Sequence, residues 1–187
     1  MPLTLQQIID QADKLVPNSE STVNKAVWLN EINQKFFEIV KIPKTSSFST
    51  TANIATISGL STAIRSRNID KVYVSKSLHP SFLHEDVPPG HNYHVWDDDT
   101  SILTLTPTPT ITGLAGIVRW HRVATSTYTD LTLALSPDAP ADYHYIYIPG
   151  LAYKIAETLE DITKKNNYEK SFMNNLLTAQ QDFAKLA

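Results

Sequence analysis

The chain has 187 residues, 42% of them hydrophobic and 19% charged, with a formal net charge of -3. This describes a folded globular protein of single-domain size, without the overall basic field that would draw it onto nucleic acid or an acidic membrane. The absence of cysteine excludes disulfides, thiolate zinc sites and cysteine nucleophiles.

The start, MPLTLQQIIDQADKL, has an early Asp and no long apolar run, so it does not read as a signal peptide. Nowhere do about 18 apolar residues run together, and no membrane span is expected. Thr4 and Gln7 form a capping-box pattern ahead of Leu5, Ile8, Ile9, Ala12, Leu15 and Val16, which are spaced for one helical face. Pro17 and Asn18 stop that helix. Ser21 or Thr22 can cap a second, carrying Trp28, Leu29, Ile32, Phe36, Ile39 and Val40 along one stripe and ending before Pro43. Together they predict an α-hairpin whose apolar faces need further partners.

From Thr45 the composition turns to Ser and Thr, and TTANIATISG reads as a strand ended by Gly59. IDKVYVS, from Ile69 to Ser75, is dense in β-branched and aromatic residues and predicts another strand. Lys76 to Asn92 reads as a loop punctuated by Pro80 and Pro88-Pro89-Gly90. Tyr93 to Trp96, a turn at Asp97 to Thr100 and Ile102 to Thr106 predict a hairpin. Pro107 and Pro109 end that strand or lie at an edge. Gly113 and Gly116 flank a turn into Ile117 to Ala124, so Ile102 to Val123 reads as a strand-turn-strand core. Strands joined without intervening helices favour an antiparallel sheet.

Leu131 to Asp142 is a connection with Pro137 and Pro140. Leu151, Ile155, Leu159 and Ile162 predict a helix, with Pro149-Gly150 at its start or kinking a longer helix begun near Asp142. The alternation in YHYIYI also allows a strand there. Lys164 to Asn167 reads as a polar break before a last helix with Tyr168, Phe172, Leu176, Ala179 and Phe183 on one stripe. The expected fold class is therefore α+β. Helices at 1-43 and 136-187 are expected to meet in an antiparallel bundle, with a β-rich insertion at 44-135, in a single domain.

Chemistry-bearing residues concentrate in one place. His79, His84, His91 and His94 stand near Glu85, Asp86 and Asp97 to Asp99. Imidazole and carboxylate ligands suit zinc or a related divalent metal, but the spacing matches no metal motif, and a solvated loop or subunit contact is the plainer reading. His144 among Tyr143, Tyr145 and Tyr147, and His121 beside Trp120, have no nucleophile elbow or phosphate-cradling loop nearby, so a packed aromatic cluster is expected. Arg119, Trp120, His121 and Arg122 alternate faces on a strand and cannot form one nucleic-acid surface. The stripe of the last helix, with Lys164, Lys165 and Lys170 near its start, fits either a partner's groove or an ordinary bundle.

Taken in order, the elements resemble the head-to-tail adaptor (head-completion or connector) proteins of tailed bacteriophages. The likeness runs through TLQQIIDQADKLV and AVWLNEINQKFFEIV, the strand IDKVYVS, and YHVWDDDTSILTLTPTPTITGLAGIVRWHR. It closes with SPDAPADYHYIYIPGLAYKIAETLED and NNYEKSFMNNLLTAQQDF. It spans nearly the whole chain, and order and spacing carry it more than any one motif. The resemblance implies a non-enzymatic structural protein of the virion, made in the host cytoplasm and placed at the head-to-tail interface. It implies a homo-oligomeric ring of about twelve copies bound to the portal protein, with a tail or stopper protein below. Genomic DNA would pass through transiently, with no membrane and no cofactor involved.

On that reading Trp28, Tyr168, Phe172, Leu176 and Phe183 are the expected portal or subunit interface. Asp97, Asp98 and Asp99 are the expected loop facing the channel or tail, where negative charge lets a polyanion slide. The rival readings are a tail-completion or stopper protein of the same virion, a metal-dependent enzyme using the His79-His94 loop, and a nucleic-acid-binding module.

Overall fold

The computed structural model describes residues 2–83 and 85–185. Among them the chain is α+β, with four α-helices and two antiparallel sheets. It divides into two compact units, one made of residues 1–42 with 123–187 and the other of Pro43–Arg122.

In the helical unit, α1 (Leu5–Leu15) begins with the expected capping box: Gln7 N–H donates to Thr4 Oγ1, and Thr4 N–H donates to Gln7 Oε1. The next free N–H groups, those of Leu5 and Gln6, donate to the carbonyls of Leu135 and Leu133. Ser21 caps α2 (Thr22–Ile39), which buries Ala26, Leu29, Ile32, Phe36 and Phe37. A 3-10 stretch, Ala141–Ile146, leads directly into α3 (Tyr147–Thr158). The YHYIYI segment is thus helical, and Pro149 sits in the first turn, where its missing N–H costs no helical bond. Gly150 is a point of close approach: a Cβ there would lie 3.1 Å from the Phe172 ring and 3.2 Å from Ile32. That gap seats α3 against both α2 and α4 (Ile162–Ala184).

The break before α4 lies earlier than Lys164 to Asn167. Glu160 takes a left-handed conformation (φ 55), and the N–H groups of Asp161 and Glu160 close back onto the carbonyls of Ala156 and Glu157. Asp161 then caps α4 by accepting from Lys164 N–H. The polar run was a solvated first turn of helix, not a gap. All four helices and residues of the 123–140 segment (Tyr128, Leu133 and Ala139) share one core.

A buried polar chain fixes that segment. Tyr147 Oη donates to Asn33 Oδ1 at 2.7 Å, and Asn33 Nδ2 donates to Asp138 at 3.0 Å. Asp138 also accepts from the backbone N–H groups of Thr125 and Ser126 and from the Ser126 hydroxyl. Asn30 exchanges two bonds with the Tyr128 backbone. Residues 123–135, expected to continue the β region, are therefore held on α2.

In the second unit, β1 (Pro43–Ser49), β7 (Ala115–His121), β3 (Ile69–Val74) and β4 (Ser77–His79) form one sheet in that spatial order. The other sheet runs β2 (Thr56–Ile57), β6 (Ile102–Thr106), β5 (Tyr93–Asp97). Both contribute to one core, Val72, Val74, Val118 and Trp120 from the first and Ile57, Trp96, Leu103 and Leu105 from the second. The expected hairpin of Tyr93–Asp97 with Ile102–Thr106 is present in register Val95 to Thr104. Ile102 to Val123 does contain two strands, but β6 and β7 lie in different sheets and do not pair. TTANIATISG holds a tight turn at Ala52-Asn53 (Asn53 at φ 63) closed by an isolated Thr51–Ile54 bridge, and only Thr56–Ile57 forms a strand. The long strand of that region lies just before it, at β1.

Candidate functional site

The three aspartates close the β5–β6 hairpin, and they are not equivalent. Asp97 accepts from the N–H groups of Asp99 and Thr100 and from the Thr100 hydroxyl, and these bonds, the hydroxyl's foremost, hold its carboxyl below the usual range. Asp98 accepts from the backbone N–H and hydroxyl of Ser66, at 2.8 Å and 2.6 Å. Desolvation pushes its carboxyl up, but the Ser66 bonds prevail and its pKa lies below the ordinary value. Asp99 is exposed. Two of the charges thus shape the hairpin tip and fasten it to residue 66, while the third is exposed beside them.

The stripe of α4 turns inward. Phe172 and Leu176 are buried in the helical core, and Trp28, Tyr168 and Phe183 are half-buried against it. The Phe183 ring lies 5.3 Å from that of Tyr143, and Phe172 stacks on Tyr153 at 5.8 Å. Phe172 and Leu176 are committed to the protein's own core and are not available at the surface. The outward apolar positions are Ile162 (71% exposed) and Leu177 on α4, with Val23 and Val27 one turn apart on α2. Lys165 pairs with Glu157 at 2.7 Å and Lys164 with Asp161 at 3.6 Å, tying the start of α4 to α3 and its cap.

The histidine segment is more structured than a solvated loop. His79 and His94 are buried, whereas His91 is exposed; His84 lies outside the described residues. His94 Nδ1 meets the His79 carbonyl at 2.7 Å and donates to it, since a carbonyl only accepts. The His94 backbone donates to Pro80 O and accepts from Phe82 N–H, in an isolated parallel bridge with Ser81. Burial is the main influence on both imidazoles and lowers their pKa. They line a cleft of about 480 Å³ with Arg67, Asp70, Lys71 and Glu85. Among the described residues no three His, Asp or Glu side chains come together in a metal-binding group.

The remaining two histidines are each held by polar contacts. His144 is buried, with Nδ1 accepting from Leu3 N–H at 3.0 Å and Nε2 donating to the Ala139 carbonyl at 2.8 Å. His121 pairs with Asp70 at 3.0 Å. On β7, Trp120 is buried while Arg119 lies on the opposite face over the Tyr73 ring, as alternation requires.

One exposed position had no sequence signal. Leu131 is 90% exposed in a 3-10 turn (Asp130–Thr132), on the segment whose carbonyls cap α1. Periodicity cannot flag a single leucine in a connection. No helix among the described residues is long and apolar enough to cross a membrane. No protein-family model matches the chain, and no curated protein matches it significantly.

Proposed function

We propose that this protein is a structural, non-enzymatic head-to-tail adaptor of a tailed bacteriophage, a ring component that joins the portal to the tail. One observation supports the reading above others. Helices from both ends of the chain share a single core, while Pro43–Arg122 leave it to build a β unit with a core of its own. This arrangement supports the expectation, drawn from the resemblance, of a helical bundle with an inserted β region. A cored helical unit gives a joint stiff enough to transmit assembly, and a separately cored β unit gives a second surface for a different neighbour.

Within this proposal the interface residues shift outward. Trp28 and Tyr168 keep an exposed part, and Ile162, Leu177, Val23 and Val27 replace the buried Phe172 and Leu176 as the apolar contacts with portal or neighbouring copies. The Asp97–Asp99 tip faces the DNA channel or the tail, where carboxylates repel the passing polyanion. The ring has about twelve copies, set by the closed symmetry of the portal it sits on.

The test is direct binding. Purified protein mixed with portal rings should co-sediment with them, and Ile162→Asp with Leu177→Asp should weaken that binding while leaving the melting temperature within a few degrees. If the protein adds neither to portal rings nor to tailless DNA-filled heads, the adaptor reading fails.

A further inference from the structure

We infer that β1 is an open pairing edge for a second copy of this chain, joining two four-stranded sheets into one across a two-fold axis at Ser47. The starting point is where the backbone groups of β1 go. Thr50 N–H donates to Leu114 O at 3.0 Å on one side of β7, and Ser75 N–H donates to Ala115 O at 2.8 Å on the other. In an antiparallel ladder the direction alternates residue by residue. With the register Ser46 to Val118 and Phe48 to Gly116, the N–H and C=O groups of Lys44, Ser46 and Phe48 face β7. Those of Thr45, Ser47 and Ser49 therefore point away from the sheet. Among the described residues they have no hydrogen-bond partner.

This edge is also unguarded. Edge strands ordinarily escape pairing by being short, bulged, charged or broken by proline. Here the register runs unbroken from Pro43 to Ser49, Pro43 stands at the first position only, and Lys44 is the one charge. The outward groups belong to three small hydroxyl residues, all exposed.

The other edges offer less. On β4 the His79 carbonyl already accepts from His94, the edge of β5 is bridged by Ser81, and β2 has two residues. A contact that continues the sheet between copies has one long edge to use, so it must be isologous, β1 against β1. Antiparallel pairing then selects its own register. Centring on Ser47 sets Thr45 against the partner's Ser49 and Ser47 against the partner's Ser47, so every outward N–H finds an outward C=O. Lys44 falls opposite the partner's Thr50, and no two lysines meet.

The chain's lack of cysteine makes the register testable in the full-length protein. Across a hydrogen-bonded antiparallel pair the Cα atoms stand about 5.5 Å apart, within disulfide reach of roughly 4.4–6.8 Å. Ser47→Cys should crosslink to itself under mild oxidant. Thr45→Cys should not, because two copies of residue 45 lie about 13 Å apart along the strands. Sedimentation should show a dimer. Ser47→Pro, which removes an outward N–H and leaves the β7 ladder intact, should give a folded monomer. A wild-type monomer at every concentration, a Ser47→Cys variant that crosslinks no faster than Thr45→Cys, or a folded Ser47→Pro dimer would each overturn the assignment. The pairing is a contact of the free protein in solution, distinct from the heterologous contacts of a closed ring, so it does not depend on the adaptor role, and portal binding is read in a separate assay.

Discussion

The ring of Phe48 lies directly across the backbone of Gly116, its cross-strand partner, so close that a Cβ on Gly116 would sit 2.1 Å from two ring carbons. Glycine in a central strand ordinarily weakens it, and here the aromatic ring covers the bare backbone. Gly116→Ala should force the ring away and destabilise the β unit by about 1–3 kcal/mol, the usual cost of overpacking. The cost should largely disappear in a Phe48→Ala background. Thermal unfolding of the two single variants and the double variant measures that coupling, and additive losses would refute the contact.

The chain Tyr147–Asn33–Asp138 predicts a second loss. Tyr147→Phe keeps the ring in the core but leaves buried Asn33 Oδ1 without its donor. A buried unsatisfied acceptor costs about 1–3 kcal/mol, so the melting temperature should fall by several degrees. Because Asn33 also holds Asp138, hydrogen exchange should quicken at Thr125 and Ser126, whose N–H groups Asp138 accepts. Unchanged exchange there would mean the chain does not act as a unit.

His79 and His94 set a pH dependence. Burial lowers both, so between their folded values and about 6.5 the unfolded chain binds protons that the folded chain does not. Their contribution to stability is present above about pH 6.5 and is lost as pH falls below it. The melting temperature should therefore drop between pH 8 and pH 5.5. His94→Gln, which keeps an N–H for the His79 carbonyl, should lower stability at pH 8 less than His94→Ala and show a shallower acid slope than wild type. An identical slope would remove His94 from the effect.

The hairpin tip separates charge from structure. Asp97→Ala and Asp98→Ala should each lower the melting temperature, because Asp97 holds the turn and Asp98 holds Ser66, whereas Asp99→Ala should leave it unchanged. Asp99→Asn is thus the clean probe of the channel-facing proposal, and it should alter DNA retention or tail joining without a stability change. Unaltered titre and particle form in Asp99→Asn and in a folded variant with all three residues changed to Asn would count against that placement.

Much of this fold was legible where local rules are strong. The Thr4–Gln7 capping box, the Ser21 cap, the dense β pattern of IDKVYV and the hairpin around Asp97 to Ser101 all have short-range causes. What escaped was decided at longer range or by unusual local choices. β1 is Ser/Thr-rich, and its strand character comes from pairing with β7 and from Phe48 covering Gly116. The β3–β4 turn places Ser75 and Lys76 at positive φ, where Asn-Gly would have announced it. Glu160 likewise stands where a glycine would have marked the end of α3. For the candidate site, sequence could name the Asp97–Asp99 turn but not the attachment of Asp98 to Ser66. It could align the α4 stripe but not say that Phe172 and Leu176 are used up by α2 and α3.

The central claim is the place of this protein between head and tail, and the most direct measurement is electron microscopy of particles assembled without it. The adaptor account predicts DNA-filled heads that lack tails, restored to tailed particles when the purified protein is added. Tailed, infectious particles formed in its absence would contradict it.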